Sequence, residues 1–324
     1  MKEDLSIKNP MLLVGIGGIG NKIAAAASAA LDCKCLLISN DKKDLVYNDR
    51  CSAIFVRSGE WINPSSYKLR SFVEGHRNEM SAAMRGYSTV IVVSNLAGRA
   101  GTAIAPLVCR MAKDSSAAVI SLTIMPFKYE TDRIFSAGTA LRRVREVSDS
   151  TIVMDNDSFL ENNPDLSQQD CFTITNNAIV EVIASIYAGM IKPAMNVLCT
   201  SRASPSSESS LRDSLAMLYD AVPNASTIKR AMVYVMGGKR VAIGELNKLV
   251  SCVRGIFKED GAIEVGMVSS ASSSNGVRVH LVASAPQKTR FDSYDPLGDI
   301  IPDVLDWDEP DSAPDIKLTI PAID

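Results

Sequence analysis

Two glycine-bearing turns carry the clearest chemical signal in this chain. Gly15-Ile16-Gly17-Gly18-Ile19-Gly20 follows an apolar run and leads directly into Asn21-Lys22-Ile23-Ala24. Residues without a Cβ let the backbone close on a ligand, and amides at a helix start carry partial positive charge, so the pattern suits a phosphate. Asn95-Leu96-Ala97-Gly98-Arg99-Ala100-Gly101-Thr102 has the same character. Two such turns can hold one triphosphate from opposite sides. The first turn alone fits a dinucleotide equally well, with Asp41 standing where such a site keeps its ribose-binding acid. A hydride-transferring enzyme of that kind, an NAD(P)-dependent Rossmann oxidoreductase, also needs a catalytic His or a Tyr-x-x-x-Lys arrangement in the second half, where none appears.

Turns of this sort belong at the ends of parallel strands. Strand-type runs at Met11–Val14, Cys35–Ser39, Ala53–Val56, Thr89–Ser94 and Ala117–Thr123 alternate with helical patterns after the first, third, fourth and fifth. That alternation predicts an α/β, Rossmann-like parallel sheet with helices on both faces. Thr175 to Met195 reads as a long central helix ended near Pro193, followed by a Ser-rich loop at Thr200–Ser210 and a helix at Leu211–Tyr219. Ala231–Met236, Ile263–Ser269 and Gly276–Ala283, with a helix at Gly244–Phe257, form a smaller α+β unit. The expected division is a nucleotide-binding domain at 1–174, the central helix and the start of the following loop at 175–196, a second domain at 197–286 and a tail at 287–324.

The tail holds ten acids against three bases and five of the fourteen prolines, which predicts a disordered acidic segment. Its apolar patches, Ile300-Ile301 with Val304-Leu305 and Ile316 to Ile323, suit a peptide that orders on a partner. Over the whole chain the net charge is only −3, which argues against a nucleic-acid partner. The opening MKEDLSIKNP is charged, and the apolar stretch from Met11 to Leu31 is broken by Asn21 and Lys22. Neither a signal peptide nor direct membrane insertion is expected, which predicts a cytoplasmic protein. Seven cysteines without a C-x-x-C pair, five of them in apolar runs (Cys33, Cys35, Cys109, Cys199, Cys252), read as reduced and buried. His76 and His280 lie near no Cys/His cluster, so no metal held by protein side chains is expected.

Taken in order along the chain, these features resemble the tubulin/FtsZ superfamily, nearer FtsZ than tubulin. Gly15–Asn21 resembles the family's first glycine loop, Ser39-Asn40-Asp41 its N-T-D turn, Asn63-Pro64 its third loop, and Ala97–Pro106 its G-G-G-T-G-T-G-A-A-P signature. Pro126–Glu130 resembles P-F-x-F-E, Asp149–Asp157 resembles D-S-L-I-x-I-P-N-D, and Phe172–Asn177 resembles F-x-x-x-N-D. Residues 229–285 follow the family's activation domain. The resemblance implies GTP or GDP as cofactor, with Mg2+ reaching the protein through the phosphates. It implies a nucleotide site of Gly15, Gly17, Gly18, Gly20, Asn21, Asn40, Asp41, Gly98, Arg99, Ala100, Gly101 and Thr102 around the phosphates, Glu130 and Arg133 at the ribose, and Asn156, Phe172, Asn176 and Asn177 at the base.

The resemblance also implies head-to-tail filaments, a role in cell division, and a tail that recruits a membrane adaptor or another division factor. Family members hydrolyse GTP with a loop after the central helix, N-x-D-x-x-D, whose acids orient water in the neighbour's pocket. The matching stretch here is Met195–Ser201, where Asn196 is kept but Leu198 and Ser201 stand at the two acid positions. Hydrolysis is therefore expected to be weak or absent, unless Glu208 or Asp213 folds back to substitute, and copolymers with a competent FtsZ paralogue are a corollary. The base-side acid is replaced by Asn177, which offers guanine one acceptor instead of two. A non-polymerising regulator that has lost the nucleotide is the other reading of the same fold.

Overall fold

The computed structural model describes residues 7–46, 48–59, 61, 64–157, 160, 163–189, 196–224, 228, 230–237, 241–256, 262–268, 276–285 and 289–295. Its strands are β1 (Met11–Ile16), β2 (Cys35–Ser39), β3 (Cys51–Phe55), β4 (Thr89–Asn95), β5 (Ala118–Met125), β6 (Ser150–Asp155), β7 (Val197–Thr200), β8 (Arg230–Met236), β9 (Ala262–Val268) and β10 (Arg278–Ser284). Its helices are α1 (Gly17–Leu31), α2 (Ser66–Glu74), α3 (Arg77–Met84), α4 (Arg99–Asp114), α5 (Thr131–Val147), α6 (Gln168–Tyr187), α7 (Ser207–Ala221) and α8 (Ile243–Ile256).

All the strands join one sheet in the order β3-β2-β1-β4-β5-β6-β7-β10-β8-β9. From β3 to β7 neighbouring strands are parallel, as the alternating pattern requires, and β10 runs antiparallel to both β7 and β8. The order 3-2-1-4-5-6 puts the ends of β1 and β4 side by side, where a parallel sheet reverses its winding and opens a crevice for ligands. Strands β1 and β4 are buried on both faces, so they read as continuous Val, Ile and Leu rather than as an alternation. Helices α1 and α6 cover one face, with Ile23, Ala24 and Ala27 packed near Ile179, Val182, Ile183 and Ile186. The opposite face is covered by α2, α3, α4, α5, α7 and α8, through residues such as Leu69, Met80, Ile104, Leu141, Leu218 and Leu249.

Four elements differ from the sequence reading. Strand β6 joins the sheet where the sequence showed only a motif. The central helix starts at Gln168, seven residues before Thr175, because Ser167 caps it by accepting the Asp170 amide at 3.1 Å. Met195 to Ser201, expected as the remnant of a catalytic loop, includes β7 at Val197–Thr200, paired with β6 and β10. Its apolar run is therefore a central strand, and the short β6–β7 ladder makes the sheet continuous across the expected domain junction. Finally, the tail does not begin at 287: Arg290–Tyr294 forms a 3-10 turn whose Phe291 is buried. The expected helix end near Pro193 and the tail patches at 300–323 lie outside the described residues. Six cysteines are buried, but Cys252, expected in the core, is exposed on α8.

Candidate nucleotide site

The two glycine turns meet. A Cβ built on Gly17 would lie 3.1 Å from Ala100 Cβ and 3.9 Å from the Gly101 amide nitrogen. Gly17 can sit there because its φ of +68° is open to glycine but strained for other residues. Helices α1 and α4 thus begin beside one another at the carboxyl ends of β1 and β4. Neither is capped by a side chain: Ile16 and Gly98 occupy the cap positions without a capping hydrogen bond. Ser65, Ser167 and Ser206 cap α2, α6 and α7, whereas α3 and α5, like α1 and α4, start without a side-chain cap. Two helix starts aimed at one place are an arrangement that can hold an anion through backbone amides.

The structure redistributes the phosphate-side roles. In an α-helix the first amides lack intrahelical acceptors, so the donors available are those of Gly17, Gly18 and Ile19 on α1 and Ala100 and Gly101 on α4. Gly20 and Asn21, expected to bind phosphate through their amides, lie beyond that first turn, so their amides are spent inside the helix. Gly20 instead lets α1 approach β4, since a Cβ there would be 2.4 Å from the Val93 carbonyl oxygen. Asn21 is buried and structural: its amide group donates to the Asp44 carbonyl at 3.2 Å and accepts the Ile38 amide at 3.3 Å. Thr102 is also spent, its amide donating to Gly98 O at 3.0 Å and its hydroxyl to Leu96 O at 2.8 Å. Gly15 packs closely on Asn21, and Gly101 lies against the Asn95 carbonyl, where no side chain fits. Arg99, exposed at the start of α4, has an ordinary helical backbone.

Asp41 accepts the Lys43 amide at 2.9 Å and so caps a short turn at Lys42–Asp44, with Asn40 beside it. Asp44 has no role in the sequence reading, yet its carboxylate faces the first glycine turn. A Cβ on Gly18 would be 2.7 Å from Asp44 Oδ1, while Oδ2 accepts the Ser39 hydroxyl at 2.7 Å. Its signal was a second acid three residues after Asp41.

On the other side, the ends of β5 and β6 meet the first turns of α6. Phe127 packs against Phe172 with centroids 5.6 Å apart and stacks on Tyr129 at 5.3 Å. Tyr129, exposed and hydrogen-bonded to Gln168 at 2.5 Å, completes an aromatic wall that the motif comparison passed over. Glu130 accepts the Phe127 amide at 3.1 Å and pairs with Arg133 at 2.7 Å, so the two expected ribose residues hold one another in place. Asn156 is buried, and its Oδ1 accepts the Thr175 hydroxyl at 2.9 Å. Asn176 Oδ1 is buried with no hydrogen-bond partner among the described residues, an acceptor facing a desolvation cost unless a ligand donates to it. Asn177, next to it, is exposed.

The expected catalytic remnant is largely a strand, not a loop. Leu198 and Ser201 are 1% and 0% exposed, and the Ser201 hydroxyl oxygen accepts the Val279 amide of β10 at 3.0 Å. Asn196 is tied to Ala285 through both its amide groups. Glu208 and Asp213 are on α7, which forms a regular helix, so the fold-back that would have let them substitute is not present. Burial pushes the Asp213 carboxyl up, against the pull of Arg202 and Arg212.

Comparison with known proteins agrees with this geometry. Residues 10–164 match the Tubulin/FtsZ family, GTPase domain. Cell division protein FtsZ 2 of Methanocaldococcus jannaschii is 27% identical over 191 residues, covering 57% of this chain and 50% of that protein. In that match the chain spans about half the length of the relative. Cell division protein FtsZ 1 of Archaeoglobus fulgidus is 23% identical over 305 residues, 86% of this chain and 82% of that protein. Among solved structures, an empty FtsZ dimer from M. jannaschii superposes with a TM-score of 0.68 at 21% identity, over 86% of this chain and 89% of that one. CetZ2 of Haloferax volcanii, solved as a GTPγS-bound protofilament, gives 0.64 at 18% identity over 88% and 96%. These structural likenesses establish a shared fold.

Proposed function

We propose that this chain, whose residues 10–164 form a GTPase domain of the Tubulin/FtsZ family nearer to FtsZ than to tubulin, binds GTP or GDP and stacks head to tail into filaments that turn the nucleotide over slowly or not at all. The convergence of the two helix starts carries this reading: five amides and two helix dipoles converge where a polyphosphate would lie. The aromatic wall and the unpaired Asn176 acceptor supply a place for a purine with an N–H donor. No group of three or more His, Cys, Asp or Glu suited to a metal occurs among the described residues. The lone carboxylate of Asp44 fits a Mg2+ ion held mainly by phosphates, where the ion would neutralise phosphate charge.

The case for weak hydrolysis now rests on a different segment from the one the sequence suggested. Between the end of α6 at Tyr187 and the start of β7 at Val197 the chain reads Ala-Gly-Met-Ile-Lys-Pro-Ala-Met-Asn, without one carboxylate. A neighbour presenting this segment brings no group that can take a proton from water. Filaments of this protein would then persist with bound GTP or join those of a competent paralogue, and a heterologous contact that does not close propagates such an assembly. No helix among the described residues is long and apolar enough to cross a membrane. Contact with a membrane in the cytoplasm would run through an adaptor on the tail.

Nucleotide released on denaturation, pelleting with and without GTP, and phosphate release on one preparation test the proposal. Guanine nucleotide, filaments and little phosphate are expected. Bound NAD(P) would mean an oxidoreductase, and an empty, non-assembling protein a regulator. Brisk phosphate release from assembled protein would refute the hydrolysis argument.

A further inference from the structure

Arg290 belongs to the segment the sequence assigned to the tail, yet it is one of the more buried cations in the molecule, with its side chain 13% exposed. One guanidinium nitrogen donates to Asp155 at the end of β6, another to Asp220 on α7. The turn that carries it is pinned to α5. Arg145 pairs with Asp292 at 2.6 Å, Arg142 with Asp295 at 3.3 Å, and the Tyr294 backbone lies where a Cβ on Gly138 would come within 2.5 Å. Thr289 and Asp292 close a reciprocal cap around the turn.

What Arg290 holds is the purine side of the candidate site. Asp155 is 2% exposed, and its two oxygens have separate tasks: Oδ2 takes Arg290, and Oδ1 accepts the Asp157 amide at 2.9 Å. That second bond fixes the turn through Asn156, whose Oδ1 meets Thr175 on α6 at 2.9 Å. Asp157 in turn accepts the Lys128 amide at 3.1 Å, beside the aromatic wall. A path of charge-assisted bonds thus leads from Arg290 through Asp155 to the residue that would read the base, and a buried carboxylate stripped of its cation would not stay put.

We propose that Arg290 is a positioning residue for the base-recognising turn, acting through Asp155, so that the root of the tail is part of the nucleotide site's support. The inference rests on the nucleotide reading above. It predicts that losing Arg290 weakens binding of a nucleoside diphosphate but spares binding of pyrophosphate, which needs only the two glycine turns.

The test is displacement of a fluorescent GDP analogue from the full chain by GDP and, separately, by pyrophosphate. Arg290→Met is expected to lose about tenfold in GDP affinity with pyrophosphate affinity unchanged, and Arg290→Lys to retain most of the binding. Asp155→Asn should reproduce the loss, and the double variant should be no worse than either single one. Asp220→Asn, which removes only the α7 arm, should bind as wild type. Equal losses for GDP and pyrophosphate, or additive effects of the two single changes, would overturn the proposal. Should Arg290→Met fail to fold, Arg290→Lys and Asp155→Asn carry the same comparison. A wild-type protein that binds neither probe overturns this inference together with the nucleotide reading, whereas wild-type binding with unselective variants overturns this inference alone.

Discussion

Gly101→Ala offers a quantitative test of the phosphate cradle. The added Cβ would stand 2.0 Å from the Asn95 carbonyl oxygen and 2.7 Å from its carbon, both backbone atoms at the end of β4. To reach an ordinary contact the start of α4 has to move away by about 1 Å, because close-packed backbone cannot absorb the difference. Overpacking of this kind costs roughly 3 kcal/mol of folding stability, the upper part of the usual range. For a domain of this size that corresponds to a fall in Tm of roughly 6–12 °C. Under the proposed reading, the same movement would lengthen amide-to-phosphate bonds from Ala100 and Gly101 beyond useful range. Losing one charge-assisted bond of about 2 kcal/mol lowers affinity roughly thirtyfold. Gly18→Ala is the control, since its Cβ would meet the Asp44 carboxylate at 2.7 Å, the end of a side chain that can rotate. Thermal melts with and without GDP and titration with a fluorescent analogue measure both quantities. A Gly101→Ala protein with wild-type Tm and affinity would refute the claim that the two turns are packed into one cradle.

Other outcomes follow from single contacts. Phe291→Ala, which removes a ring 1% exposed on the turn packed against α5, should cost about 3–5 kcal/mol in denaturant melts, while a chain ending after Asp295 should melt as the full chain does. Native protein should take up thiol reagent quickly at Cys252 alone, because the other six thiols are buried and burial pushes Cys109 up to about 11; mass spectrometry of labelled peptides reads this directly. Glu208→Gln and Asp213→Asn should leave phosphate release where it was, since α7 holds both away from a loop role. Glu181 on α6 joins Arg278 and His280 of β10, each at 2.5 Å. Glu181→Gln should therefore destabilise the protein by about 3 kcal/mol, visible as a lower urea midpoint.

Much of the fold was legible because its causes are local. Apolar runs that alternate with helical periods leave few ways to build a sheet, and glycines clustered after β1 and β4 mark the chain's closest backbone approaches. The resemblance added order along the chain, which no single loop could supply. Where the reading erred, the cause was non-local. Val197–Thr200 looks like the end of a loop until β10, some eighty residues later, is laid beside it. Thr289–Asp295 has a tail's composition, and only Arg142 and Arg145 of α5 and the carboxylates Asp155 and Asp220 turn it into part of the folded body.

The sequence by itself thus determined most of the elements, the parallel α/β class and the two glycine turns, because hydrophobic period and glycine placement act within a few residues. Tertiary structure alone decided which amides remain unspent, that Asp44 faces the first turn, that Asn176 keeps an unpaired acceptor, and that Arg290 braces Asp155. Those facts depend on which groups meet across the sheet, and pairing among distant polar groups is fixed by packing rather than by neighbours in the chain.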